Sequence, residues 1–277
     1  NLKARYRRNG DTLRYHIESP KAGEKLVIDP QLTFSTFTGA TVDNWGFTAA
    51  PDPQGNSFGG GIVFGSGYPT TSGAFDVTFN GGEGNFNLDI AISKFNTTGT
   101  SLIYSTYIGG ARNEAPKSIV SNENGEIYVL GVTSSLNFPL AGNPVQPAFA
   151  GGTLTTQNAL QFSGTDLIIF KFNAAGTNLM ASTYFGGSAN DGLNLGTLHY
   201  NYGDQFRGEI IVDAQSNVYI ASSTQSANFP TPNGAKTFLS GNQDAVIAKF
   251  NPQLSNVFWS TYFGGNGLET GNALQIN

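Results

Sequence analysis

Short apolar runs broken by Gly, Asn, Asp and Pro recur along this chain in a fixed register. Ser105-Thr106-Tyr107-Ile108-Gly109-Gly110 returns as Ser182-Thr183-Tyr184-Phe185-Gly186-Gly187 and Ser260-Thr261-Tyr262-Phe263-Gly264-Gly265, with a looser copy at Ser35-Thr36-Phe37-Thr38-Gly39-Ala40. The spacings are 70, 77 and 78 residues. Lys94-Phe95-Asn96, Lys171-Phe172-Asn173 and Lys249-Phe250-Asn251 each lie nine residues, Asn to Ser, before the next such run, and Asp89, Asp166 or Asp244 opens the strand. A constant gap centred on a Gly-containing turn predicts a β-hairpin. A third element is a polar turn followed by an aromatic strand: Phe58, Tyr128 and Tyr219 each stand eleven residues before Pro69, Pro139 and Pro230. An apolar run upstream of the turn, such as Ile210-Ile211-Val212, completes four strands per unit.

A repeat of this length with four strands, apolar on both faces, predicts an all-β fold, a β-propeller of four-stranded blades in which neighbouring blades cover each face. Solenoids share the signature. The pattern gives a lone strand at 31–38, about three full blades at 40–108, 110–185 and 187–263, and a partial unit at 265–277. Three full blades and two partial ones do not close a ring, so the chain reads as part of a longer polypeptide. Residues 1–30 fall outside the repeat and read as the end of a preceding β-domain or a linker. Length variation is confined to loops. The largest excess lies in the third unit within about Asn190 to Phe206, where Gly187 to Asp213 spans 26 residues against twelve elsewhere.

Composition narrows the function. The 36 Gly, 21 Phe and 11 Tyr suit strands and turns, while 12% charged residues and a net charge of -5 lack the basic surplus for nucleic acid. Zero Cys removes disulfides, thiolate metal sites and a Cys nucleophile. No apolar run reaches the roughly 20 residues of a transmembrane helix.

The combined pattern resembles the bacterial seven-bladed β-propeller repeat family, known as SBBP repeats. The residues that carry the resemblance run from Asp244-Ala245-Val246-Ile247-Ala248-Lys249-Phe250-Asn251 through Ser260-Thr261-Tyr262-Phe263-Gly264-Gly265 to Gly271-Asn272-Ala273, preceded at the start of the array by Leu26-Val27-Ile28-Asp29-Pro30. The resemblance covers 26–277. It implies a large secreted or cell-surface protein of the kind common in Bacteroidota, often carrying adhesion domains and a C-terminal sorting signal, and it brings no catalytic residues with it. The expected function is an extracellular or cell-surface scaffold that binds protein or polysaccharide without catalysis. A glycan-acting propeller enzyme and an architectural subunit of a surface assembly are the alternatives.

Candidate chemistry is sparse. His16 and His199 have no counterpart in other units. An acidic column, Glu114, Asp191 and Glu269 with Asp43 one place off, would form a ring of oxygen ligands suited to Ca²⁺ if its loops met at one face. Alternatively each acid accepts backbone N–H groups of its own turn. No catalytic residue and no firm cofactor are assigned. Repetition favours structural roles for the Asp and Lys columns and for Ser-Thr-Tyr, because a site is needed once and a blade many times. The unrepeated insert, with Tyr200, Tyr202 and Asp204, is the candidate ligand-binding segment, since Tyr-rich loops bury much area at small entropy loss; the equal alternative is an insert that packs on its own blade. Trp45 and Trp259 read as packing residues.

Overall fold

Strand formation follows the repeat. A computed structural model describes the backbone of residues 4–9 and 12–17 and all residues from 34 to 276 except Tyr202. The chain divides into two compact units, Asn1–Ser35 and Thr36–Asn277. In the first, β1 (Ala4–Asn9) and β2 (Thr12–Ile17) pair antiparallel with Asn9 opposite Thr12.

The second unit holds three four-stranded antiparallel sheets and one extra hairpin among its described residues. Sheet 1 is β3 (Asn44–Pro51), β4 (Ser57–Val63), β5 (Asp89–Phe95) and β6 (Leu102–Ile108), in that order. Sheet 2 is β7 (Glu114–Ser121), β8 (Ile127–Thr133), β11 (Asp166–Phe172) and β12 (Leu179–Phe185); β9 (Leu154–Gln157) and β10 (Leu160–Ser163) form the extra hairpin before β11. Sheet 3 is β13 (Glu209–Val212), β14 (Val218–Thr224), β15 (Asp244–Phe250) and β16 (Val257–Phe263).

The repeated residues close turns and tie strands. Asn96 Oδ1 accepts the N–H groups of Thr100 (2.9 Å) and Ser101 (3.2 Å), and Asn173 and Asn251 repeat this at their own hairpins. Asp52, Asn122 and Asp213 each accept N–H groups two and four residues on, the Asx geometry that fixes the turn that follows. The Lys column answers them: Lys94 pairs with Asp52 at 2.9 Å, Lys171 with Glu126 at 2.8 Å, and Lys249 approaches Asp213 at 3.8 Å. The Tyr of Ser-Thr-Tyr reaches across the sheet. Tyr107, Tyr184 and Tyr262 hydroxyls each accept the N–H before the Pro column, from Tyr68, Phe138 and Phe229, at 2.9 Å. Buried polar atoms satisfied in this way hold the long loop against the outer strands.

Face-to-face contact supplies the core. Phe58, Ile90, Ile92 and Tyr104 of sheet 1 join Val129, Ile168, Phe170 and Phe172 of sheet 2 in one buried cluster. The other face of sheet 2, with Leu130, Leu167 and Ile169, joins Val218, Ile220, Val246 and Phe250 of sheet 3 in a second. Phe185 stacks edge to face on both Phe229 and Phe250 with centroids 4.9 Å apart. Beside them, β7 packs on β3 and β4, and β13 packs on β7 and β8.

The ends of the array differ from the pattern. Phe34–Thr38, expected to finish a lone strand, is irregular with Phe37 94% exposed, and 31–33 lie outside the described residues, as does Leu26–Pro30. The segment 270–276, expected to open a further unit, carries no strand; it is tied by the Gly271 N–H to Ser222 O at 3.0 Å and the Leu274 N–H to Glu209 Oε2 at 2.6 Å. Neither stretch has a continuous ladder partner among the described residues, and an unpaired segment has no reason to stay extended.

Candidate functional site

Two groups of residues stood out as candidates, and the structure treats them differently. The acidic column does not gather. Glu114 and Asp191 are wholly buried at successive sheet junctions, where Glu114 accepts Thr133 Oγ1 at 2.5 Å and Asp191 accepts Thr224 Oγ1, Ser226 Oγ (3.0 Å) and the Gly187 N–H (2.6 Å). Glu269 accepts the Gly265 N–H at 3.1 Å. Asp43 is exposed, and Asn44 takes the column's place in sheet 1: Asn44 lies opposite Val63 as Glu114 lies opposite Thr133. Among the described residues no three His, Cys, Asp or Glu side chains come together as a metal would require.

Each acid of the column instead faces the strand-opening Asp across a glycine. A Cβ on Gly109 would collide with Asp89 and Glu114, on Gly186 with Asp166 and Asp191, and on Gly264 with Asp244 and Glu269. The glycines therefore serve the close approach of two carboxyl groups. Burial is the main cause that pushes Asp89 up to about 7, Glu114 to about 8, Asp166 to about 8 and Asp191 to about 7; a neighbouring carboxylate adds to it at Asp89 (from Asp76), Glu114 (from Asp89) and Asp166 (from Asp191).

The insert forms a closed, partly buried loop. Lys117 in β7 anchors both ends: its ammonium, buried in the core, donates to the carbonyls of Gly192 and, at 3.0 Å, Arg207. Burial without a carboxylate partner lowers Lys117 to about 7. Lys117 stands at the bulge of β7, the place that Phe47 takes in β3. Phe206 of the insert, also buried, packs edge to face on Phe47 at 5.3 Å and on Phe162 of β10 at 5.9 Å. Two long loops and a bulged strand thus share one aromatic contact.

Inside the loop, the Asn194 N–H donates to Gln205 O at 3.1 Å and Asn194 Nδ2 to Asp204 O at 2.7 Å. His199 Nε2 lies 2.8 Å from Asn194 O. Asp204 faces inward: Oδ2 accepts the N–H groups of Tyr200 (2.8 Å) and Asn201 (2.5 Å), and Oδ1 accepts Arg207 Nε at 3.0 Å. The Arg207 bond, first, and these N–H donors hold its carboxyl below the usual range. Asp204 is therefore the loop's internal cap. The outward group is Tyr200, 81% exposed, whereas Tyr202 lies outside the described residues. Tyr200 stands at a cleft of about 440 Å³ that Asn194, Leu198, Arg207, Thr270 and Asn272 also line.

The remaining candidates are placed in packing roles or left undescribed. Trp45 meets Phe64 edge to face at 4.9 Å and Trp259 meets Tyr219 at 6.4 Å. The His16 side chain lies outside the described residues. Asn194, Arg207, Thr270 and Asn272 escaped the sequence reading, because the cleft joins segments more than sixty residues apart. No protein-family model matches the chain, and no curated protein matches it. No helix among the described residues is long and apolar enough to cross a membrane.

Proposed function

We propose that the chain is a piece of an extracellular or cell-surface β-propeller of the SBBP-repeat type that binds polysaccharide, without catalysis, at the cleft beside Tyr200. The observation that carries this reading is an exposed aromatic ring at the rim of a cleft lined by Asn194, Arg207, Thr270 and Asn272, with Leu198 and Ala273 among them. An exposed ring offers a stacking face to a sugar, and the polar wall offers donors and acceptors to its hydroxyls.

Support for the propeller arrangement comes from the two shared cores and from β3, β7 and β13 packing in succession. The outer face of sheet 3 extends the series: Phe263 is 67% exposed where its equivalents Ile108 and Phe185 are fully buried under a following sheet. A non-catalytic reading is supported by Asp204, the cleft's carboxylate, which is committed to Arg207 and to two backbone N–H groups. Glycoside hydrolysis needs two carboxyl groups facing the scissile bond.

Titration of the full chain with polysaccharides selected from an array tests the reading. Saturable binding that Tyr200→Ala and Asn272→Ala both weaken supports it. Binding indifferent to both substitutions contradicts it, and chain cleavage of the polysaccharide abolished by Asp204→Asn establishes the enzymatic alternative instead.

A further inference from the structure

One turn in each sheet brings together the same three kinds of side chain, an amine, an amide and a carboxylate. At the β3–β4 turn of sheet 1, Asp52 Oδ2 accepts both Lys94 Nζ at 2.9 Å and Asn56 Nδ2 at 2.8 Å. Sheet 3 repeats this, with Asp213 Oδ2 accepting Asn217 Nδ2 at 2.9 Å and Lys249 Nζ at 3.8 Å. In sheet 2 the acid and the amide have changed places. There Glu126 Oε2 accepts both Lys171 Nζ and Asn122 Nδ2, each at 2.8 Å.

This exchange alters what the backbone of the turn does. In sheets 1 and 3 its two N–H groups donate to Oδ1 of an aspartate. In sheet 2 the N–H groups of Asn124 and Glu126, both at 3.1 Å, donate to the amide oxygen of Asn122. Two such donors draw electron density from Cγ and stabilise negative charge on Oδ1 when a nucleophile adds there, as an oxyanion hole does. The nitrogen that would leave is held as well, since Nδ2 donates to Glu126 and, at 3.1 Å, to Ser216 Oγ.

The nucleophile shares that carboxylate. Lys171 and Asn122 are buried, and the ammonium lies 5.2 Å from the centre of the fully buried Tyr128 ring, so water has little access to the pair. Burial opposes the charge on Lys171, but the bond to Glu126 and the contacts beside it outweigh burial and raise the amine above its ordinary value. The reaction open to these groups therefore begins with transfer of a proton from Nζ to Glu126 within the ion pair.

We propose that sheet 2 closes an intramolecular isopeptide bond between Lys171 and Asn122, with Glu126 carrying the protons. Neutral Nζ attacks Asn122 Cγ, the Cγ–Nδ2 bond breaks, and ammonia leaves. Glu126 takes two protons from Nζ in turn, passes one to the departing nitrogen and gives the other to solvent. An amine and an amide thus yield a new amide and ammonia, with no oxidant or further reactant. The bond ties the β7–β8 turn to the end of β11. Sheets 1 and 3 stay unlinked, because there the N–H pair faces a carboxylate, which is a poor acyl donor. The Tyr200 cleft contributes no residue, so this inference and the proposed binding function stand or fall separately.

Mass spectrometry of the denatured full chain tests the proposal. The expected mass is lower than that of the sequence by one ammonia, and trypsin should release a branched fragment joined through Lys171 and Asn122. Lys171→Arg keeps the charge beside Glu126 but should restore the full mass, as should Glu126→Gln, whereas Lys94→Arg should leave the deficit in place. A wild-type chain of full mass overturns the proposal whether or not the variants fold. So does a deficit that survives Lys171→Arg, the result expected if an Asn-Gly step such as Asn80-Gly81 had cyclised instead. A deficit that survives Glu126→Gln overturns the role of that carboxylate.

Discussion

Asp166 and Asp204 are both buried aspartates in long-loop surroundings, yet one belongs to a column repeated in every sheet and the other to a loop that occurs once. Asp166 lies under Gly186 against a second acid, where burial raises its pKa to about 8. Asp204 lies against Arg207 and two N–H donors that hold it ionised. The repeated framework stores polar groups at its junctions to register one sheet on the next. The insert uses the same kinds of bonds to turn a loop back on itself and leave one ring, Tyr200, outside. Registering bonds thus belong to repeated sequence, and the exposed ring to unrepeated sequence.

Substitutions that separate the two regions can break this division. The largest effect is expected in the framework: Phe250→Ala empties a fully buried site against Phe185 and should lower unfolding free energy by about 3–5 kcal/mol in urea denaturation. Lys117→Ala acts at the seam. It leaves the carbonyls of Gly192 and Arg207 without their donor, at an expected loss of about 1–3 kcal/mol, with amide exchange accelerated across 192–207 and unchanged in β11. Equal acceleration in both segments would show that the insert is not a separate element.

A pH series sharpens the contrast. Asp89, Glu114, Asp166 and Asp191 have folded values near 7 to 8, above their ordinary carboxylate values. The folded state therefore binds more protons than the unfolded chain between the ordinary and the raised values. The stability these groups contribute is full below the ordinary carboxylate range and is lost as pH rises through 7 to 8. The expected slope is about 1 kcal/mol per pH unit for each junction that keeps one proton. Lys117 opposes this only above its folded value of about 7, so the midpoint should fall between pH 5 and 7. Asp89→Asn should flatten the slope, whereas Asp204→Asn should not.

Much of the framework was legible because its bonds depend on fixed spacing. The Asn96, Asp52 and Tyr107 columns each close a turn or span a sheet at one separation, so a change in length would break the bond. Loop residues without such constraint hid better. Asp76, Gln146 and Lys236 share a place, each donating its N–H to the Thr of Ser-Thr-Tyr, but no side-chain type, and they stand seven, seven and six residues after the Pro column. Asp43 carries the column's charge, whereas strand pairing puts Asn44 in its register. At the cleft, Tyr200 is exposed, but Asp204 lies inward because the Tyr200 and Asn201 N–H groups and Arg207 claim its oxygens. Asn272 and Thr270 reach the cleft through folding alone, and no local signal marks them.

The smallest effect on stability belongs to Tyr200→Ala, expected within about 0.5 kcal/mol because the ring faces solvent. The same change bears most directly on the division between framework and insert. Measured side by side, the variant should melt with the wild type while its affinity for the bound polysaccharide falls by at least about tenfold, the loss of one stacking contact. Unchanged affinity, or a loss of affinity that appears only with a lowered melting temperature, would contradict the assignment of binding to the insert.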